Sequence, residues 1–169
     1  MNSEQLKALQ APLKDQYRRE PGAALITLRA TGHAGEGISC RVDTGKALVD
    51  AGLHPATGGD GSQACSGDML LEALVACAGV TLRAVATGIG VDLRDARITA
   101  EGDFDFRGTL GVAKDAPVGF RNLRLRFELD TDASAEQCDT LIRLTERYCV
   151  VLQTLRGAPP VAVACEALK

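Results

Sequence analysis

The chain has 169 residues, of which 46% are hydrophobic and 24% are charged, and its formal net charge is −3. This composition is typical of a soluble globular protein and differs from that of a disordered chain. The small negative charge also argues against nucleic acid as a partner. The length fits one domain, residues 1–169, with its own buried core. We predict a helical arm over residues 1–22 and a core over residues 23–169.

The sequence gives no sign of export or of membrane insertion. Charges are spread through the first twenty residues, and no run approaches the roughly 20 apolar residues of a membrane span. We therefore expect a cytoplasmic protein without a membrane partner, in which cysteine thiols are normally kept reduced. The chain has six cysteines but only two histidines, and it has no Cys-x-x-Cys motif, so we expect no metal and no bound cofactor.

The predicted N-terminal arm is a helix with a narrow apolar stripe. Leu6, Leu9, Leu13 and Tyr17 follow one another at spacings of three and four residues. Pro12 is expected to interrupt this helix. We expect the stripe to dock on another part of the protein.

The core begins with a predicted β-hairpin. Ala24–Thr31 and Gly37–Asp43 are rich in strand-forming residues, and the glycines between residues 32 and 37 permit a tight reversal. Residues 44–61 are predicted to form a strand or turn, which leads into a glycine-rich loop. No strand-to-helix phosphate loop is present, which argues against nucleotide binding.

A long helix is predicted after this loop, from Ser66 as N-cap to about Gly88. Asp68 lies in its first turn, where the helix dipole favours a carboxylate. The segment is apolar nearly all round, since Glu72 and Arg83 are its only charges between residues 69 and 87. Such a helix is expected to be central and buried.

The second half of the chain repeats the order of hairpin and helix. Arg97–Phe106 and Phe120–Asp130 alternate apolar and polar residues, which predicts a second hairpin. A capping box at residues 134–137 begins a helix that is predicted to run to Gly157. Val161–Cys165 is predicted to be a last short strand. The order of β-hairpin, helix, β-hairpin, helix and β indicates an α+β fold.

Cys77 and Cys149 each lie in an apolar helical run. Buried free cysteine commonly packs as a small hydrophobe, so core packing is one interpretation of each thiol. If the two helices pack side by side, the thiols can instead form a redox pair. Cys138 is a poor partner for Cys149, because eleven helical residues separate them by about 16 Å. The remaining cysteines are predicted to be packing residues: Cys40, Cys65 and Cys165.

A reactive Cys77 requires a nearby cation or helix terminus that offsets the burial of its thiolate. Arg83 is badly placed on its own helix, so Arg29 or Arg41 from the strands is the better candidate. Asp68 or Glu72 could hold the incoming guanidinium in a fork. Equally, Asp68 could complement only the helix dipole and Glu72 could lie at the solvated helix edge. The spacing of the histidines does not favour a Cys-His hydrolase.

The two cysteine-bearing segments, Asp68-Met-Leu-Leu-Glu-Ala-Leu-Val-Ala-Cys77 and Glu146-Arg-Tyr-Cys149-Val-Val-Leu-Gln-Thr-Leu155, match a known pattern. With the preceding glycine-rich loop, the chain resembles the OsmC/Ohr superfamily of thiol-dependent peroxidases. The resemblance covers about residues 24–163. It implies an intertwined homodimer in which sheets from both chains wrap two buried central helices.

The resemblance also implies a chemistry. Cys77 would be the peroxidatic thiol that attacks an organic hydroperoxide, and Cys149 would resolve the resulting sulfenic acid as a disulfide. An external dithiol, such as a lipoylated protein, would then reduce that disulfide. An apolar pocket would favour small hydrophobic alkyl or lipid hydroperoxides.

The chain departs from the peroxidase members at three places. Asp68 stands nearest to the position of their catalytic glutamate, with Glu72 as a second candidate. Their arginine has no direct counterpart, so Arg41 or His33 would have to serve. Val150 follows Cys149 where many hydroperoxide-specific members have proline. The alternative function is therefore a non-catalytic OsmC-like protein that binds a small molecule or senses redox state.

Overall fold

A computed structural model describes residues 3–34, 40–42 and 51–165 of the chain. Its sheet has four antiparallel strands in the order β2-β1-β3-β4. The strands are β1 Leu25–Ala34, β2 Cys40–Val42, β3 Leu93–Asp105 and β4 Arg121–Thr131. The helices are α1 Ser3–Arg19, α2 Ser66–Ile89, α3 Phe106–Thr109, α4 Ala135–Tyr148 and α5 Val150–Gly157. Short 3-10 turns occupy Pro21–Ala24 and Pro55–Thr57. This mixed architecture confirms the predicted α+β class.

Both predicted hairpins are present, with shifted ends. Strand β1 does not turn at Gly32 but continues to Ala34, and Gly32 pairs with Val42 of β2. Strand β3 begins at Leu93, four residues before the predicted start, and its pairing with β4 runs from that residue to Asp103. The rest of the predicted first turn lies at residues 35–39, and the first part of the segment predicted at 44–61 lies at residues 44–50, both outside the described residues.

Helix α2 forms the centre of the core. Its buried residues recur at helical spacing and pack against the sheet: Leu71, Leu74, Val75, Ala78, Leu82 and Ala86. The helix is capped by Cys65 rather than by Ser66, which is its first helical residue. Gly90 ends it in the left-handed region at φ 71, a conformation that glycine adopts without steric cost.

Helix α2 also corrects the expectation about membrane spans. Over the described residues it is long and apolar enough to cross a membrane by length and composition. A single helix of this kind is weak evidence for insertion, because the core helix of a soluble protein has the same length and composition. The buried face of α2 packs against β1 and β3 and against α4, as a core helix does.

The helix predicted to run from residue 134 to Gly157 is broken in the middle. The predicted capping box of Ser134 and Gln137 is present and begins α4. Cys149 then leaves the helical region with φ −70 and ψ 105, and α5 begins at Val150. This break determines the geometry of the thiols described below.

The predicted last strand is wrong for this structure. Residues 158–165 form neither strand nor helix, and Val161 and Val163 are 83% and 91% exposed. A strand requires a neighbour that supplies its hydrogen bonds, and none of the four described strands pairs with this segment. Cys165, predicted to be a packing residue, is likewise exposed.

The N-terminal arm docks as predicted, although Pro12 does not interrupt it. Helix α1 continues through Pro12, which lies on its exposed side. Tyr17 is buried against Phe106 and Leu110, and its hydroxyl donates to the carbonyl of Ala56 at 2.8 Å. The arm therefore holds the loop that leads into α2.

Candidate functional site

The two central cysteines meet where α2 packs against the break between α4 and α5. The Cys149 thiol donates a hydrogen bond to the Cys77 sulfur, and both thiols are free of disulfides. Cys149 is fully buried, whereas Cys77 is half-buried. The structure therefore brings together the two thiols that the sequence selected, although their redox roles stay a prediction.

The surroundings of Cys77 are polar because α5 begins there. The first backbone N–H groups of a helix have no partner inside it. Those of Val150 and Val151 donate to the Cys77 sulfur. The hydroxyl of Thr81, one turn further along α2, donates to the same sulfur.

These contacts decide the ionisation of Cys77. Burial by itself raises the pKa of Cys77, since it penalises the thiolate. The hydrogen bonds from Val151, Cys149, Val150 and Thr81 favour the thiolate and together outweigh burial, so the pKa of Cys77 falls below its ordinary value. The N-terminus of α5 thus favours the Cys77 thiolate, a role that the sequence led us to expect from an arginine.

Cys149 has the opposite character. Burial raises the pKa of Cys149 to about 11; the N–H groups of Leu152 and Val151 oppose it only in part, and the bond to Cys77 reinforces it. Of the two thiols Cys77 is therefore the first to ionise, and the proton of the pair then stays on Cys149.

Asp68 lies nine residues before Cys77, about 13 Å along the axis of α2. It is half-buried, and burial raises the pKa of its carboxyl while the charge of His54 lowers it. The neighbour that lowers the pKa of Asp68 is thus the imidazole of His54 rather than the predicted guanidinium. Glu72, the second candidate, is half-buried one turn later and has no ion pair to any described residue.

His54 is a site residue that the sequence reasoning missed. Its Nδ1 accepts the N–H of Ala56 at 3.0 Å, and its ring stacks on Phe106 at 5.1 Å. A bond of 3.0 Å from the N–H of Gly52 to the carbonyl of Ala64 closes the loop beside the start of α2. The sequence signal was the His54-Pro55 pair, which caps the short 3-10 turn.

The predicted arginines do not reach the thiols in the described contacts. Arg29 is 61% exposed and pairs with Glu101 at 3.5 Å, so that candidate is wrong. Arg83 donates to the carbonyls of Leu93 and Arg94, which confirms that it points away from Cys77. Arg41 lies in β2 opposite His33, and its side chain falls outside what the structure describes.

The other cysteines lie apart from the pair. Cys65 packs against the core at the start of α2, and the Cys138 sulfur lies 3.9 Å from the carbonyl of Ala133. The side chain of Cys40 is outside the described residues. Within the part of the chain that the structure describes, no group of three or more metal-binding side chains comes together.

A cavity of about 220 Å³ lies between β4 and the broken helix pair. Its wall is mostly apolar, with Arg124, Glu146 and Arg156 among its polar members. The apolar lining residues are Leu74, Leu123, Leu125, Phe127, Leu152 and Leu155. Leu74 lies one turn before Cys77 and Leu152 one turn after Cys149, so the cavity adjoins the thiols, although neither sulfur lines it.

Fold and site together define an α+β protein with two paired cysteine thiols of unlike pKa at the centre of its core. The family model described as OsmC-like protein matches residues 59–164. The chain belongs to the OsmC-like family, as the sequence resemblance indicated.

Two solved structures share the fold. One is an OsmC-like hydroperoxide resistance protein from Jannaschia sp. CCS1, with 20% identity and a TM-score of 0.63, covering 85% of this chain and 95% of the other. The second is an OsmC-like protein from Mycoplasma pneumoniae, with 16% identity and a TM-score of 0.55, covering 79% of this chain and 86% of the other. A search of curated proteins finds no match.

Proposed function

We propose that the protein is a thiol-dependent peroxidase that reduces small hydrophobic hydroperoxides. The observation that carries the proposal is the pairing of Cys77 with Cys149, in which hydrogen bonds lower the pKa of Cys77 and burial raises that of Cys149. The family and the hydroperoxide resistance protein of similar fold support a peroxidase-type activity. The apolar cavity beside the thiols suits an alkyl or lipid chain.

The reaction has three balanced steps. The Cys77 thiolate attacks the terminal oxygen of the hydroperoxide, the O–O bond breaks, and the leaving alkoxide takes a proton to become an alcohol. Cys77 is thereby oxidised to a sulfenic acid. The Cys149 sulfur then attacks the Cys77 sulfur, and water leaves with the Cys149 proton as the disulfide forms. An external dithiol, for example a lipoylated protein, reduces the disulfide and is itself oxidised.

The same proposal includes a cytoplasmic homodimer. Helix α2 exposes about two-fifths of each of three apolar residues that lie away from its core face: Met69, Leu70 and Val80. Apolar surface on a central helix is typical of an interface. The exposed segment 158–165, with its alternating valines, provides a strand for a second copy to pair with.

A specific observation favours the rival function, a non-catalytic redox sensor or small-molecule binder. The described contacts of Cys77 are N–H, O–H and S–H groups, without a guanidinium. The thiols of such a sensor would be oxidised once, and the oxidised protein would accumulate. A peroxidase would instead be reduced by a dithiol and consume further peroxide.

The deciding experiment combines disulfide mapping with turnover. One equivalent of cumene hydroperoxide is expected to produce a Cys77–Cys149 disulfide, and dihydrolipoamide is expected to sustain peroxide consumption. Cys77→Ser should abolish both, while Cys138→Ser serves as the matched control and should keep both. Full turnover by Cys77→Ser would refute the peroxidase. A disulfide that forms once without turnover would favour the sensor.

A further inference from the structure

The break at Cys149 leaves three carbonyls of α4 without their helical partners. In an unbroken helix the N–H groups of Val150, Val151 and Leu152 would donate to the carbonyls four residues earlier, the first of which is that of Glu146. Here the N–H groups of Val150 and Val151 donate to the Cys77 sulfur, and that of Leu152 donates to the Cys149 sulfur. The bonds before and after these three survive, since Cys149 N–H reaches the carbonyl of Thr145 and Gln153 N–H reaches that of Cys149, both at 2.9 Å.

The side chain of Gln153 replaces the bond that the carbonyl of Glu146 loses. Its Nε2 donates to the carbonyl of Glu146 at 2.7 Å, so the acceptor that Val150 would have filled is satisfied by an amide from α5. A second strap crosses the same break, because Arg156 pairs with the Glu146 carboxylate at 2.9 Å. Both contacts join α4 to α5 around Cys149, and both are made by one residue of α4.

We propose that Gln153 is a positioning residue for Cys77: by occupying the carbonyl of Glu146 it keeps the N–H of Val150 directed at the sulfur. If the amide is absent, the Glu146 carbonyl competes for that N–H, and closing the helix satisfies both groups. The break would then relax, and the thiolate would lose a donor. Gln153 touches neither sulfur and acts through the backbone of its own helix.

This inference rests on the proposed function for its purpose, but its test needs no peroxide. The rate of Cys77 alkylation by iodoacetamide is measured between pH 6 and 10, with mass mapping to separate Cys77 from the other thiols. In Gln153→Met, which keeps the length of the side chain and removes the donor, the Cys77 profile should shift to higher pH. The rate at pH 7 should fall by about threefold to tenfold, the effect of one hydrogen bond of about 1 kcal/mol.

Two further variants separate positioning from general damage. Gln153→His places a ring N–H at a similar reach and should restore the wild-type profile above pH 7.5, where an exposed imidazole is mostly neutral. Thr154→Val, the adjacent exposed residue of α5, is the matched control and should leave the profile unchanged. A wild-type profile in Gln153→Met, or an equal shift in Gln153→His, would overturn the proposal. The expected shift in Gln153→Met, found together with no peroxide turnover by the wild type, would support the positioning role and count against the peroxidase.

Discussion

The Cys149 thiol donates a hydrogen bond to the Cys77 sulfur, and Cys149 is the more deeply buried of the two. Backbone N–H groups reach both sulfurs, but those of Val150 and Val151 favour charge on Cys77. Burial dominates at Cys149 and raises its pKa to about 11. The start of α5 therefore reaches both sulfurs, and the two pKa values differ because hydrogen bonds outweigh burial at Cys77 but not at Cys149.

This relationship predicts selective alkylation. At pH 8, iodoacetamide should modify Cys77 before Cys149, since the thiolate is the reacting form. Removal of the Cys149 donor in Cys149→Ala should raise the pKa of Cys77 and slow its alkylation at pH 7 by about threefold to tenfold. Time-resolved mass mapping checks both expectations, and Cys138→Ala is the control. Faster modification of Cys149 than of Cys77 would contradict the assignment.

The same raised pKa has a consequence for stability. A thiol that is neutral in the folded state and titrates near 11 stabilises the fold below its ordinary pKa of 9.0. That contribution is lost as the pH rises through about 11. Between pH 9 and 11 the free energy of unfolding should therefore fall more steeply in the wild type than in Cys149→Ala. Urea titrations at several pH values measure the difference, and parallel slopes would contradict it.

The strands and their faces could be predicted where apolar and polar residues alternate, as in β4, where half-buried Leu125 and Phe127 flank exposed Arg126. The break at Cys149 could not. Leu141, Thr145 and Cys149 continue the spacing of a buried helical face across it, so the local pattern favours one helix. The bond of Val150 to a sulfur 73 residues away outweighs that preference, and no local window contains it.

The position of His54 was hidden for a similar reason. A loop carries no periodicity, and the place of His54 is fixed by Tyr17 of α1 and by the closure of Gly52 onto Ala64. The glycine- and proline-rich composition indicated only that a loop was present. Conversely, the pairing of Cys77 with Cys149 could be selected because both thiols stand on apolar helical faces that a single core must bring together.

His54 is expected to tune the carboxyl at the start of α2. Burial raises the pKa of Asp68 and the His54 charge opposes it, so His54→Gln should raise that pKa further. A carboxyl whose folded pKa is raised stabilises the fold below its ordinary value of 3.8 and loses that contribution as the pH rises through the folded pKa. In His54→Gln, where the Asp68 pKa is higher, this contribution to stability should therefore be lost only at a higher pH than in the wild type.

The measurement for His54 is an NMR titration of the Asp68 side-chain carboxyl. His33→Gln, which changes the other histidine of the chain, is the control and should leave the titration in place. A lower Asp68 pKa in His54→Gln would show that the imidazole does not act as the neighbouring cation.

The packing of Phe120 over Gly102 predicts a strong effect of one methyl group. A Cβ at Gly102 would lie 2.4 Å from Phe120 Cδ1 and 2.8 Å from Leu123 Cδ2, so Gly102→Ala forces the ring to shift. Overpacking of this kind costs about 1–3 kcal/mol of unfolding free energy. Gly88→Ala in α2 meets nothing within 4 Å and should instead stabilise by about 0.5–1 kcal/mol. Equal effects in urea denaturation would contradict this account.

The arm holds the loop of His54 through the Tyr17 hydroxyl and through Gln10, whose Nε2 donates to the carbonyl of Thr57 at 3.2 Å. Tyr17 donates to the carbonyl of Ala56, whose own N–H fixes the ring of His54 at Nδ1. Tyr17→Phe keeps the buried ring and leaves that carbonyl without its donor, which should cost about 1 kcal/mol of unfolding free energy. Hydrogen exchange should rise at residues 52–59, because the loop is then held by fewer bonds. Tyr148→Phe, at a 56% exposed position, is the control. An equal response of both variants would show that the Tyr17 hydroxyl does not specifically hold the loop.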